Sequence, residues 1–371
     1  MNDVPVRRRA DPLRTLIVKI AAIGDVCMAL SAVAEFKRRV NSEIHWICGS
    51  AAAEIVERSG VADRLITVSE TRLFRGSGFE QASEVLSVWR RVLGLTYDLS
   101  AVLHYDLRYC VLVLPVSARC TVRLSRQRRA TSLIAGRHHS DEYLRILLGT
   151  DADTTDRVGA YHLGLPRKEV SLVTRPRVVL VPGGAKNVLR DDSLRRWPLD
   201  RYASLAERLS AFGLEVVLVG ASGDSWVRPA FSGMDVRDLI GATSLLGVLT
   251  LLDGSDLVVT HDTGILHLSA LTSVPVVALF GPTNPAEKLP HRDNVVALWG
   301  GATLACRPCY DGRDYAKCGV NRCMLDISVD EVTTTVLGLL HGSCQLRRGI
   351  PVRGSGAAVV SSDGLPPIPS A

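Results

Sequence analysis

Aromatic residues make up only 5% of the 371, and single-stranded nucleic acids need aromatic faces to stack on. The net charge of +6 is modest, so nothing beyond charge speaks for a nucleic-acid partner. The dinucleotide fingerprint G-x-G-x-x-G follows no strand-like run, and the phosphate-loop pattern G-x-x-x-x-G-K-[ST] does not occur. Dehydrogenases and P-loop nucleotidases therefore lose ground together. No run is convincing as a membrane span. The nearest, GILHLSALTSVPVVALFG (264–281), has eighteen uncharged residues, but Pro275 splits it and its second half is β-branched. A helix followed by a buried strand is the better reading. The N-terminal LIVKIAAIG is too short for a signal sequence and carries Lys19 inside it. These absences place the chain in the cytoplasm, where its nine cysteines stay thiols or metal ligands.

What is present reads as globular, with 47% hydrophobic and 22% charged residues in a length that holds two domains. TLIVKI (15–20), EIHWIC (43–48) and YDLSAVL (97–103) read as strands. Val26, Ala29, Leu30, Val33 and Phe36 mark a helix that closes on Lys37, Arg38 and Arg39, and 79–95 marks another. Such alternation predicts mostly parallel sheets covered on both faces. The pattern pauses at LPRKEVSLVTRPR (165–177). It restarts with strands at 177–181, 215–220, 257–260 and 276–280 and helices at 199–213, 244–256 and 264–271.

The predicted architecture is α/β: two Rossmann-like doubly wound domains, 14–170 and 171–343, facing a central cleft with ligands at the carboxyl ends of the strands. Residues 1–13 form a flexible basic arm through Arg7, Arg8 and Arg9; 344–371, rich in Pro, Gly and Ser, read as a disordered tail. The arm and the cluster Arg123–Arg129 suit plain solvent, and equally acidic substrates or an anionic membrane surface.

Polar turns stand at several strand ends. LVVTHDTGILHLSAL (257–271) puts Asp262, Thr263 and Gly264 at a helix start, where unpaired N–H groups attract anions. An N-cap explains Asp262 or Thr263 equally well. The loop PGGAKNVLRDDSLRRWP (182–198) shifts that balance. Gly183 and Gly184 allow close backbone approach, and Lys186, Arg190, Arg195 and Arg196 suit a diphosphate better than bulk water. Asp224, in LVGASGDS, is placed to accept from ribose hydroxyls or to cap a helix. Asp25, after Gly24, is a cap or, in a cleft opposite a diphosphate, a general base. Cys306, Cys309, Cys318 and Cys323 are spaced C-x2-C-x8-C-x4-C and read as a structural Zn2+ site or as free thiols. His138 and His139 read as surface residues.

In order and spacing, VKIAAIGDVCMALSAVAEFKRR, PGGAKN…RRWPLDRYASLAERL, GLEVVLVGASGD, DLVVTHDTGILHLSALTSVPVVALFGPTNP and CRPCY…CGVNRCM together resemble glycosyltransferase family 9, the ADP-heptose:lipopolysaccharide heptosyltransferases. The resemblance covers roughly residues 14–343. It implies a GT-B fold, with the acceptor mainly on the first domain and the nucleotide sugar on the second. It also implies inversion at the anomeric carbon and no cofactor or metal required for transfer. By motif it makes Asp25 the catalytic base, beside Gly24 on the acceptor side. Gly183, Gly184, Lys186, Arg195, Asp224, Asp262, Thr263, Gly264 and His267 become the donor site, with Asp262 near the sugar hydroxyls. Arg195 stands where the family often has lysine, Asp224 where some members carry a ribose-binding glutamate, and NVLRDDSL (187–194) is longer than the usual loop. The implied reaction moves heptose from ADP-heptose to a hydroxyl of a glycan or glycolipid such as a lipopolysaccharide core, with peripheral contact at the inner membrane. Another nucleotide sugar or a small-molecule acceptor, a sugar-nucleotide epimerase, and a non-catalytic sugar-nucleotide-binding protein stay open.

Overall fold

The computed structural model describes residues 12–154, 157–159, 161–164, 175–186, 190–347 and 359–360. Nearly all of the basic arm, most of the 165–177 link and most of the tail lie outside them. The chain divides after Gly159 into two compact units.

The first unit runs β1 (Leu13–Val18), α1 (Ile23–Val40), β2 (Ser42–Gly49), α2 (Ala53–Ser59), β3 (Arg64–Val68), α3 (Glu70–Arg75), α4 (Gly78–Val92), β4 (Thr96–Val102), β5 (Ser117–Arg123) and α5 (His139–Leu148). Its strands are all parallel, in the order β3-β2-β1-β4-β5. Helix α1 forms where the apolar period predicts it, with Val26, Ala29, Leu30, Val33 and Phe36 all buried. Lys37, Arg38 and Arg39 occupy its last turn, where cations offset the helix dipole. Helix α4 starts on a capping box: Ser77 and Glu80 each satisfy the other's backbone N–H.

The second unit runs β6 (Arg177–Val181), α6 (Leu199–Ala211), β7 (Glu215–Leu218), β8 (Val236–Asp238), α7 (Leu245–Asp253), β9 (Leu257–His261), α8 (Gly264–Ser269), β10 (Val276–Phe280), α9 (Pro285–Lys288), β11 (Val295–Trp299), α10 (Arg322–Asp326), α11 (Val329–Arg347) and β12 (Val359–Val360). Its parallel order is β12-β11-β10-β9-β6-β7-β8. Every residue of β9 and β10 is buried, as a strand covered on both faces requires. The two units are thus Rossmann-like and doubly wound. Helix α11 continues to Arg347, past the start of the expected tail. Among the described residues no helix is long and apolar enough to cross a membrane.

His138 departs from its surface reading. It is buried, and its Nδ1 accepts from Ser140 N at 3.2 Å as the cap of α5. One turn further on, Glu142 and Arg145 form a buried pair at 2.8 Å. Arg145 also donates to the carbonyls of Ala130 and Ser132, each at 2.8 Å, while Glu142 accepts from Ile134 N at 3.1 Å. The pair therefore stitches the segment after the arginine cluster onto α5. Arg145→Ala leaves Glu142 buried with the Ile134 N–H and, among the described residues, Arg137 at 3.5 Å as its remaining countercharge. We expect a loss of about 3–5 kcal/mol in urea unfolding, with early proteolysis between 129 and 137. A variant as stable as the wild type would show that the pair does not hold this segment.

Candidate active site

An open parallel sheet takes ligands at the carboxyl ends of its strands, where the order of winding reverses. In the second unit that point lies between β6 and β9. The loop after β6 and the turn after β9 both stand there, and they are tied together. Asp224 holds the loop: its Oδ1 accepts from Gly184 N and its Oδ2 from Ala221 N, both at 2.8 Å. A Cβ on Gly183 would lie 2.6 Å from the Asp224 carboxyl carbon. One on Gly184, whose φ is +82°, would lie 2.6 Å from Thr263 Oγ1. Both positions need glycine. Thr263 is the N-cap residue of α8, yet its hydroxyl accepts from Ala185 N at 3.1 Å and does not cap the helix. The Asp224 carboxylate, placed by the sequence at a ribose or a cap, is engaged by the loop and by the start of the 3-10 helix Ser222–Phe231.

Asp262 is only 2% exposed and its two oxygens have no hydrogen-bond partner among the described residues. Arg195 Nη1 lies 3.4 Å from it and His267 Nε2 3.7 Å. Burial acts to raise the Asp262 pKa, but the Arg195 charge, with His267 and Lys288, outweighs it and holds the carboxylate well below its usual range. Burial likewise works against the Arg195 charge, and Asp262, Tyr315 and Asp192 more than restore it. Arg195 Nε donates to Tyr315 Oη at 2.6 Å, and its guanidinium lies 5.1 Å from the Tyr310 ring centre. His261, also buried, meets Tyr202 Oη through Nδ1 at 3.1 Å, and burial pushes its pKa down to about 3, so it stays neutral. Arg196 donates to Gly184 O at 2.9 Å and pairs with Asp191. Lys186 is exposed and bridges Asp191 through the backbone. Gly264 opens α8, whose six residues give it only a short dipole.

The cysteine segment supplies the tyrosines. Cys309 N and Tyr310 N donate to Pro282 O, Ala316 N donates to Cys309 O, and Tyr310 and Tyr315 face each other across the resulting turn. Cys306 and Cys318 are exposed, Cys309 half-buried and Cys323 buried, all as free thiols. Burial pushes the Cys323 thiol up to about 11, and neighbouring Cys309 and Cys318 act in the same direction. Among the described residues no three of these four sulfurs lie within 4.8 Å of one another. They are neighbours that have not converged.

The first unit reverses its order between β1 and β4. After β1 come Lys19, Gly24 and Asp25. Asp25 is in the first turn of α1, but the N-cap is Ala22, so the cap reading of Asp25 does not apply. Its side chain is 35% exposed, and Oδ2 lies 3.4 Å from the Nζ of Lys19, itself 4% exposed. Lys19 Nζ also donates to Leu103 O at 3.0 Å. His104, after β4, accepts from Ile20 N through Nε2 at 2.9 Å and stacks on Tyr109. Burial, and then the Lys19 charge, drive His104 well below its ordinary pKa, which keeps that nitrogen an acceptor. Sequence reasoning missed Lys19, His104, Tyr310, Tyr315 and Lys288. Only Lys19 left a signal, as a charge inside an apolar run.

The model of glycosyltransferase family 9 (heptosyltransferase) matches residues 85–318. Lipopolysaccharide heptosyltransferase 1 of Pseudomonas aeruginosa is 26% identical over 318 residues, covering 80% of this chain and 86% of that protein. Among solved structures, a family 9 glycosyl transferase from Veillonella parvula superposes with a TM-score of 0.71 at 21% identity, over 90% of this chain and 99% of its own. ADP-heptose LPS heptosyltransferase II of E. coli gives 0.69 at 19% identity, over 89% and 99%.

The ion pair at the second switch point has a pH signature. Because Asp262 is held low in the fold, its stabilisation is complete above about pH 4, where unfolded carboxylates ionise, and is lost as pH falls through the folded value. Arg195→Ala removes the main countercharge and lets burial raise Asp262. We expect a deficit on the order of 3–5 kcal/mol at pH 7 that narrows in acid, as Asp262 takes a proton. Urea melts at pH 7 and pH 4 check this; a deficit independent of pH would mean that Arg195 serves something other than Asp262.

Proposed function

The chain belongs to glycosyltransferase family 9, and on that premise we propose that it is an inverting heptosyltransferase that needs no metal for transfer. The donor would be ADP-heptose. The acceptor would be a hydroxyl of a glycan or glycolipid, such as a lipopolysaccharide core. The observation that carries the reading is the buried Arg195–Asp262 pair, set in a turn that the glycine loop overhangs. A guanidinium held there, with Lys186 on the same loop, neutralises a departing diphosphate. Asp262 and His267, whose Nδ1 is buried without a hydrogen-bond partner among the described residues, would meet the sugar hydroxyls. Gly183, Gly184, Thr263 and Gly264 would let the backbone approach the diphosphate. Asp224 would act by holding that loop in place.

On the other side of the reaction Asp25 would be the base. It takes the proton of the acceptor hydroxyl as that oxygen attacks the anomeric carbon. The bond from the carbon to the diphosphate oxygen breaks, the configuration inverts, and ADP leaves. Lys19, buried beside Asp25, holds that carboxylate at the strand end where the acceptor hydroxyl would come. The enzyme would work in the cytoplasm, at the inner membrane surface where a glycolipid acceptor is met.

Asp25→Asn keeps the shape and removes the proton acceptor. Single-turnover transfer from ADP-heptose should slow by roughly 10²–10⁴-fold with ADP affinity nearly unchanged, and the melting temperature should fall, because buried Lys19 keeps the Leu103 carbonyl but loses its carboxylate. Transfer at the wild-type rate would require another base.

The cysteine segment would hold a structural Zn2+ through Cys306, Cys309, Cys318 and Cys323. Thiolates are the soft donors zinc takes in closed sites, and the thiols are already neighbours. The exposed Cys306 and Cys318 would have to turn inward to complete the set. The metal would order the turn that brings Tyr315 to Arg195. Protein purified without chelator should contain about one zinc per chain, and chelation should weaken ADP binding along with it. A metal-free, folded chain with all four thiols titratable would leave them as free cysteines.

A further inference from the structure

Of the eleven large hydrophobic side chains exposed among the described residues, six fall in one stretch: Phe79, Leu86, Leu93, Leu107, Val111 and Leu114. The first three recur every seven residues along α4 and the residue that ends it, so they form one stripe, about 20 Å long at 1.5 Å per residue. The stripe faces away from the core, since Val88 and Val92 are buried and Val85 packs beside them on the opposite side of the same helix. The last three lie on the 3-10 helix Leu107–Val113 and its end. Trp89 Nε1 donates to Val111 O at 2.8 Å, which pins that helix against α4. Two packed elements therefore turn apolar side chains outward together.

We propose that this surface lays the protein on an anionic lipid bilayer. The charge beside the stripe points to that occupant. Arg90 and Arg91 are exposed in the last turn of α4 and Arg75 in the last turn of α3. The acids of α4, Glu80 and Glu84, share Arg72, which leaves one negative charge against the three of Arg75, Arg90 and Arg91, and Asp106 at the start of the 3-10 helix is matched by Arg108. The balance around the apolar stripe is positive. A second copy of the chain would bring arginines against arginines, whereas lipid phosphates meet them and the acyl boundary takes the leucines. The inference rests on the glycolipid-acceptor reading for its purpose, because such an acceptor is itself held in a membrane. Vesicle binding is measured without any transfer, so the two readings fail separately.

The test is co-sedimentation of the full chain with phosphatidylglycerol–phosphatidylcholine vesicles and with phosphatidylcholine alone, at low and high salt. The wild type should bind the anionic vesicles and lose binding as salt rises. Leu86→Glu with Leu93→Glu should cut the vesicle-bound fraction about tenfold or more, while melting temperature and ADP affinity stay at wild-type values. Arg90→Glu with Arg91→Glu, which leaves the apolar stripe intact, should lose the preference for anionic vesicles. Unchanged partition in both variants overturns the proposal. So does loss of binding only when Arg7, Arg8 and Arg9 are replaced by alanine, which would assign the contact to the arm. Self-association of the wild type that Leu86→Glu with Leu93→Glu abolishes would make the stripe an interface between copies and overturn it too. Vesicle binding without sugar transfer would sink the catalytic reading and leave this one standing.

Discussion

An ionised carboxylate cannot sit in a buried turn without a countercharge, and Asp262 has Arg195. Much of the second unit's site follows from seating that arginine. Asp192 lies 3.6 Å from one of its nitrogens, Tyr315 accepts from another, and Tyr310 lies against its face. The loop carrying Arg195 must therefore fold back over the β9 turn, and Asp224 and Thr263 fix its other end. That geometry leaves no room for Cβ atoms at Gly183 and Gly184. The glycines follow from Asp224 and Thr263, which fix the loop, and the arginine that the loop carries is seated by Asp262, by Asp192 and by a tyrosine on the distant cysteine segment.

The first unit repeats the arrangement at smaller scale. There too a strand delivers its polar groups at the point where the winding reverses, and a buried cation faces a carboxylate across 3.4 Å. The exposures differ in a way that matters chemically. Asp262 is shut in, which suits a fixed partner for charge, whereas Asp25 keeps about a third of its side chain open. A base must reach the group whose proton it takes, so the open carboxylate is the better candidate for that work.

Strands β6 and β10 could be read to the residue, and β9 within one, because strands buried on both faces write themselves as unbroken apolar runs. Strand β5 could not, since its residues are exposed or only partly buried and its sequence, SARCTVR, shows no run. The loop after β6 was legible as a cluster of glycines and cations. Its internal wiring was not. A carboxylate a few residues past a strand looks the same in sequence whether it meets a ribose or its own backbone, and only the 2.8 Å bonds from Gly184 and Ala221 show which groups hold Asp224. Lys19 was visible only as an interruption, because nothing local shows that Leu103 and Asp25 converge on it.

The helices sharpen the meaning of the exposed leucines. A helix covering a parallel sheet needs apolar residues on one face only. Helix α6 obeys this: Tyr202, Leu205, Ala206 and Leu209 are buried, and Ser204, Glu207 and Arg208 face water. Helix α1 ends the same way, with Glu35 tied to Arg38 and Arg39 on its outer side. Helix α4 buries Val88 and Val92 as it should, then carries a second apolar stripe that the fold does not use. The same chain builds polar outer faces elsewhere, so the composition as a whole does not explain this one. An apolar stripe that the core leaves exposed, beside arginines with no acid partner among the described residues, is what a surface shaped by something outside the chain looks like.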